Sequence, residues 1–110
     1  MMKKYIIAAL SSAALVLSGQ VIAADIEAGK NKAAEACASC HGADGNSPAP
    51  NFPHIGGQHR TYLEKVLKDY KSGSRTDPVM NGMAAALSKE DIENLAFYYS
   101  SLPGKLNSNR

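Results

Sequence analysis

The amino-acid sequence predicts an all-α domain of about three main helices, and three observations carry that prediction. Apolar residues recur at helical spacing in residues 60–72 and again in 88–101. The segment that opens at Ile26 is rich in Ala, Lys and Glu, with no β-branched run after Ile26. Between these segments, Gly42 to Gln58 holds four Gly and three Pro and shows no strand alternation.

In chain order, residues 1–24 come first and read as a cleaved export signal. Lys3 and Lys4 form a positive start, Tyr5 to Leu17 is an apolar run, and Val21-Ile22-Ala23-Ala24 ends in small residues, with cleavage after Ala23 or Ala24. The run has 13 residues, short of the roughly 20 that span a bilayer, so an uncleaved anchor is the weaker reading. Gln20 stands where a lipid-bearing Cys would be needed. The expected destination is the periplasm, with no stable membrane span after cleavage.

What remains, residues 25–110, is expected to form one domain. Without Lys3 and Lys4, its ten basic residues meet ten acidic ones. Nucleic acid is excluded as a partner, since a binder carries a basic excess on one face. A domain of this size has a marginal core, and 6% aromatic content with no Trp makes it thinner still. A non-protein group is a natural filler.

The first helix is expected from Ile26 to about Ala38, with Asp25 as its N-cap. Gly29 inside it costs roughly 1 kcal/mol against Ala and suggests a close helix crossing. The second runs from Arg60 to Ser72, where Tyr62, Leu63, Val66, Leu67 and Tyr70 form one stripe and Gly73 stops it. The third follows a capping box, Ser88 with Asp91, and ends near Ser101, with Ile92, Leu95, Ala96, Tyr99 and Leu102 on one face. The irregular stretch 42–58 is long for a compact domain and calls for a function. Pro103 to Arg110 reads as a frayed tail.

Chemistry concentrates in Cys37-Ala38-Ser39-Cys40-His41, which holds both cysteines of the chain. A disulfide closing so short a loop removes little unfolded-state entropy. A redox dithiol would want a preceding strand, and zinc would need further ligands, for which only His54 and His59 stand nearby. C-x-x-C-H is the signature of covalent haem attachment: two thiols add across the porphyrin vinyl groups, and His41 lies under the iron as proximal ligand. Haem c, one per chain, is therefore the expected cofactor, and it supplies the apolar bulk that the core lacks.

A second axial ligand is then sought. Met80 and Met83 lie in Pro78-Val79-Met80-Asn81-Gly82-Met83, a string that reads as a loop, and a thioether suits low-spin haem iron. His54 and His59 are the rivals, beside Gly56-Gly57.

Cys37 to Gly45, Phe52-Pro53-His54-Ile55-Gly56-Gly57-Gln58, Tyr62-Leu63, Met80-Asn81-Gly82 and Leu95 to Tyr99 together resemble the class I cytochromes c. They are especially similar to one half of the bacterial periplasmic two-haem cytochromes c. The resemblance covers nearly the whole of residues 25–110 and implies the class I cytochrome c fold, wrapped around one covalently attached haem. It implies that the first and last helices cross near Gly29 and Leu95/Tyr98, and that Met80 rather than Met83 is the distal ligand. It also implies that the Pro53 carbonyl accepts a hydrogen bond from the proximal imidazole. The chain departs from the two-haem pattern in carrying one C-x-x-C-H.

A haem closed by His41 and Met80 has no open position for substrate and suits one-electron transfer between respiratory redox partners, rather than enzymatic turnover. The alternative is a haem c subunit of a larger oxidoreductase, such as a flavoprotein dehydrogenase. Lys65, Lys68 and Lys71 share a helix face that either docks an acidic partner or is simply solvated beside Glu64 and Asp69.

Overall fold

The computed structural model describes residues 23–106, so the expected export signal, all but Ala23 and Ala24, and the last four residues of the tail lie outside the described residues. Five helices and no strand occupy the described residues: α1 (Ile26–Ala36), α2 (Ala38–His41), α3 (Arg60–Ser72), α4 (Met80–Ala85) and α5 (Lys89–Ser101). No helix among them is long and apolar enough to cross a membrane.

The carboxylate of Asp25 starts α1 by accepting from the backbone N–H groups of Glu27 and Ala28, at 2.9 and 3.1 Å. The helix does not run on to Ala38. It breaks at Cys37, whose N–H still reaches Ala33 at 2.9 Å and whose own carbonyl then accepts from Cys40 and His41 to begin α2. Neither Gly nor Pro marks that break, so composition could not reveal it.

The first and last helices cross where Gly29 meets Asn94. A Cβ at Gly29 would lie 2.1 Å from the Asn94 carbonyl oxygen and 2.9 Å from Cβ of Tyr98, so no larger residue fits without moving a backbone. The Asn94 side chain locks the crossing by accepting from the Asp25 N–H at 2.8 Å. At the far end, α5 is started by the capping box: Ser88 Oγ accepts from Asp91 N–H at 3.0 Å, and the Asp91 carboxylate accepts from Ser88 N–H at 2.9 Å.

Helix α3 packs against both α4 and α5, and α4 is an addition to the three helices expected. The string from Pro78 to Met83 is a turn only at Pro78-Val79 and helical from Met80: Val79 N–H and Met80 N–H donate to Asp77 Oδ1, at 2.9 and 2.8 Å, and that carboxylate starts the helix. Pro78 is compatible because a helix start leaves N–H groups unpaired anyway.

The buried core is thin. Ala33, Leu63, Ala84, Leu87, Ile92, Leu95, Ala96 and Tyr99 form it, and Ile92 and Leu95 are its largest fully buried side chains. The segment 42–58 is ordered by backbone bonds rather than apolar burial: Ile55 and Gly56 N–H both reach the Gly45 carbonyl, at 2.8 and 2.9 Å, and Gly57 N–H reaches Tyr99 at 2.9 Å. Tyr98 Oη donates to the Ala43 carbonyl at 2.9 Å. These contacts hang the loop on α5 and set Pro53 beside His41.

Candidate functional site

Two adjoining cavities, of about 230 and 330 Å³, share Cys37, His41, Pro53, Leu67, Tyr70 and Met80 as walls. The first continues onto Leu63, Leu95, Ala96 and Tyr99, the inner faces of α3 and α5. The second opens toward Cys40, Phe52, Val79 and Met83. A 230 Å³ space has room for several waters, yet its walls are mostly apolar and offer few of the polar partners that hold water in place.

His41 is 9% exposed and is the buried polar side chain of the core. Its Nδ1 lies 2.9 Å from the Pro53 carbonyl oxygen. A carbonyl only accepts, so Nδ1 carries the proton and Nε2 holds the ring's free lone pair. Among the described residues no protein group hydrogen-bonds Nε2. The imidazole is therefore set in the tautomer that a metal ligand requires.

Cys37 and Cys40 are half-buried and unbridged. Burial above all, with Cys40 close by, pushes the Cys37 thiol up to about 11, against the opposing influence of Tyr99 and Lys32. Burial likewise raises Tyr99 above the usual phenol range, with Cys37 the next cause. Both groups are thus neutral at physiological pH. The Tyr99 hydroxyl is buried with no formed hydrogen bond, although the Cys37 thiol is near enough to act on it. An orphaned buried hydroxyl on the wall of an apolar cavity is costly, which marks this face as built around an occupant.

Met80 and Met83 separate clearly. Met80 is partly buried at the head of α4 and walls both cavities, while Met83 is 41% exposed and touches only the second. The histidine rivals are otherwise engaged. Nδ1 of His54 accepts from Ser47 N–H at 2.8 Å, so its Nε2 carries the proton and lacks a lone pair for a metal. His59 is exposed at the N-cap of α3. No cluster of three or more His, Cys, Asp or Glu able to hold a bare metal ion occurs among the described residues, so two thiols, one imidazole and one thioether around an apolar slot are the available donor set. They fit haem: two attachment points, two axial donors and walls that take a flat hydrophobic ring.

Three residues at the site were missed by sequence reasoning. Arg75 walls the first cavity with its guanidinium 5.2 Å from the Tyr70 ring centroid, and a hydrogen bond with Tyr62, then Tyr70, raises its already high pKa. Asp77 and Asn81 brace the approach to Met80. Only the Asx residues around Pro78 gave any signal of this. The lysine face is partly used up within the chain: Lys65 pairs with Asp69, and Lys71 Nζ donates to the Leu87 carbonyl.

Residues 26–103 match the protein-family model described as Cytochrome c. Cytochrome c4 of Pseudomonas aeruginosa is 51% identical over 79 residues, covering 72% of this chain and 39% of that protein. The thiosulfate dehydrogenase electron acceptor of Stutzerimonas stutzeri is 43% identical over 97 residues, covering 83% of this chain and 45% of that one. Among solved structures, reduced recombinant cytochrome c4 from Pseudomonas stutzeri superposes with a TM-score of 0.69 at 48% identity, over 76% of this chain and 48% of that chain. The chain thus spans less than half the length of these relatives.

Proposed function

The chain belongs to the cytochrome c family, and from that premise we propose that it is a one-electron carrier of the periplasm, with Cys37 and Cys40 as the haem attachment points and His41 and Met80 as the axial ligands. The cofactor is haem c, covalently bound, one in this domain. Bound haem supplies a ferric/ferrous couple in an apolar slot. The observation that carries the reading is the His41–Pro53 contact: with Nδ1 donating to the Pro53 carbonyl at 2.9 Å, the Nε2 lone pair is the one ring atom left to bind iron.

The residues divide the work. His41 donates from the proximal side, and the Pro53 carbonyl fixes its ring orientation and raises its basicity. Met80 contributes a soft thioether that favours ferrous iron and raises the potential. With His41 and Met80 both holding the iron, haem would offer substrate no place at the metal and would supply one-electron transfer rather than turnover. A raised potential suits acceptance from a quinol-linked or inorganic-substrate oxidising system and donation to a terminal reductase or oxidase.

A second reading, a haem c subunit of a larger oxidoreductase such as a flavoprotein dehydrogenase, is favoured by a 44% identical relative named as the cytochrome subunit of sulfide dehydrogenase of Chlorobaculum tepidum. Val79 and Met83, 56% and 41% exposed beside the second cavity, offer an apolar contact for such an assembly.

A potentiometric titration under carbon monoxide tests the carrier reading. The expected result is reversible one-electron behaviour per chain, unaffected by the gas. Rapid carbon monoxide binding by the reduced protein would contradict it and point to an open, reactive iron.

A further inference from the structure

We propose that Asn81, with Asp77, is a positioning residue for the distal ligand: it staples the first turn of α4 to the end of α3 and so holds the Met80 thioether closed on the site. The inference rests on Met80 being the axial ligand.

All the hydrogen-bonding groups of the Asn81 side chain are used, and all of them on backbone. Its Oδ1 accepts from Asp77 N–H at 2.7 Å, and its Nδ2 donates to the Tyr70 carbonyl at 2.9 Å and the Arg75 carbonyl at 2.8 Å. Tyr70 lies in the last turn of α3, where carbonyls have no partner within the helix, so the amide closes a gap that α3 leaves open. Asp77 completes the staple. Its carboxylate accepts from the N–H groups of Val79 and Met80, and its carbonyl accepts from Asn81 N–H at 3.1 Å.

Such a staple is needed because α4 has six residues, well under the roughly 12–15 at which an isolated helix holds together in water. Its register is set from outside. One end is tied through Asn81, and the other through the Lys71 ammonium on the Leu87 carbonyl. Met80 is the first residue of α4, one position from Asn81, so releasing the staple turns the 75–80 segment into a hinge that carries the ligand away from His41.

The test uses the haem-loaded protein and reads two properties of the oxidised form: the weak long-wavelength band of an iron–thioether bond, and the rate of cyanide binding, which is limited by loss of the distal ligand. Asn81→Ala should weaken the band and speed cyanide binding about tenfold or more, roughly the factor for a hydrogen bond lost with its partner left unpaired. Asn81→Asp keeps size and shape but turns a carboxylate oxygen toward two carbonyls, so it should do at least as much. If Asn81 were a space-filler, the aspartate would behave like wild type, and that result overturns the proposal. Asp77→Ala removes the cap alone and should shift both readings in the same direction, which keeps the test available should the Asn81 variants fail to load haem. Asp25→Ala, which deletes the side-chain cap of α1, should lower global stability without moving either reading. Should Asp25→Ala speed cyanide binding as much as Asn81→Ala, the effect is general loosening and the staple is refuted. If Met80→Ala itself leaves the band and the cyanide rate unchanged, the ligand assignment falls and the staple with it. If Met80→Ala abolishes the band while Asn81→Ala and Asp77→Ala leave it intact, only the staple falls.

Discussion

Nδ1 of His41 donates to the Pro53 carbonyl oxygen across 2.9 Å, joining the Cys-containing turn to the far end of the Gly/Pro-rich segment. That contact explains why a compact domain keeps a long irregular loop. The loop adds only Ile55 to the edge of the core; its larger contribution is a backbone carbonyl placed where it sets an imidazole's tautomer. Anchoring of the loop to α5 through Gly57–Tyr99 and Ala43–Tyr98 makes the same helix that crosses α1 responsible for the geometry of His41.

Cys37→Ala and Cys40→Ala should each weaken or abolish covalent haem and leave largely unfolded apoprotein, because the thin core loses its filler. Acid–organic extraction measures this. Wild-type haem should stay with the polypeptide; complete extraction from the wild type would exclude thioether attachment.

Met80 and Met83 predict opposite behaviour. Met80→His should stay low-spin but show a lower reduction potential, since imidazole stabilises ferric iron more than a thioether does. Met80→Ala should bind cyanide or carbon monoxide quickly. Met83→Leu, at an exposed position, should do neither and cost under about 1.5 kcal/mol as a near volume-conserving swap. An unchanged potential in Met80→His with an altered one in Met83→Leu would reverse the assignment.

Gly29→Ala should destabilise the protein by roughly 1–3 kcal/mol, although Ala is the better helix former by about 1 kcal/mol. The added Cβ would stand 2.1 Å from the Asn94 carbonyl oxygen and must push α1 off α5. Denaturant unfolding of the haem-loaded protein reads the cost, and an equal or higher midpoint for the variant would show that the crossing has slack.

Asp44 predicts a share of the acid sensitivity. Its carboxylate accepts from the Asn46 backbone N–H at 2.9 Å and side-chain amide at 3.2 Å, which hold its pKa below the usual carboxylate range. A depressed folded pKa adds stability that is fully present above the unfolded value and lost as pH falls through the folded one. Between about pH 6 and about pH 3, Asp44→Asn should therefore lose less of its denaturation midpoint than wild type. Equal losses would show that these hydrogen bonds carry no net linkage.

The parts legible in the sequence were those set by local rules. Arg60 to Ser72, the Ser88–Asp91 capping box and the Asp25 cap all follow from periodicity and end signals that act within a few residues, while the crossing at Gly29 was signalled by a glycine inside a helix and its partner helix by the family resemblance. The break at Cys37 and the helix α4 were not legible. Pro78 and Asn81-Gly82 carry the composition of a loop; Asp77 starts the helix locally, but the groups that hold it in place act across the fold: Asn81 reaches Tyr70, and Lys71 reaches Leu87. Likewise the Cys37-to-His41 string announces its chemistry by spacing, whereas nothing local tells that His54 spends its lone pair on Ser47.

The absorption spectrum of the purified, oxidised protein tests the central claim most directly. Haem c closed by His41 and Met80 should give a low-spin spectrum with the weak long-wavelength iron–thioether band, and reduction should give sharp low-spin bands that carbon monoxide does not change. A high-spin oxidised spectrum without that band would contradict the account.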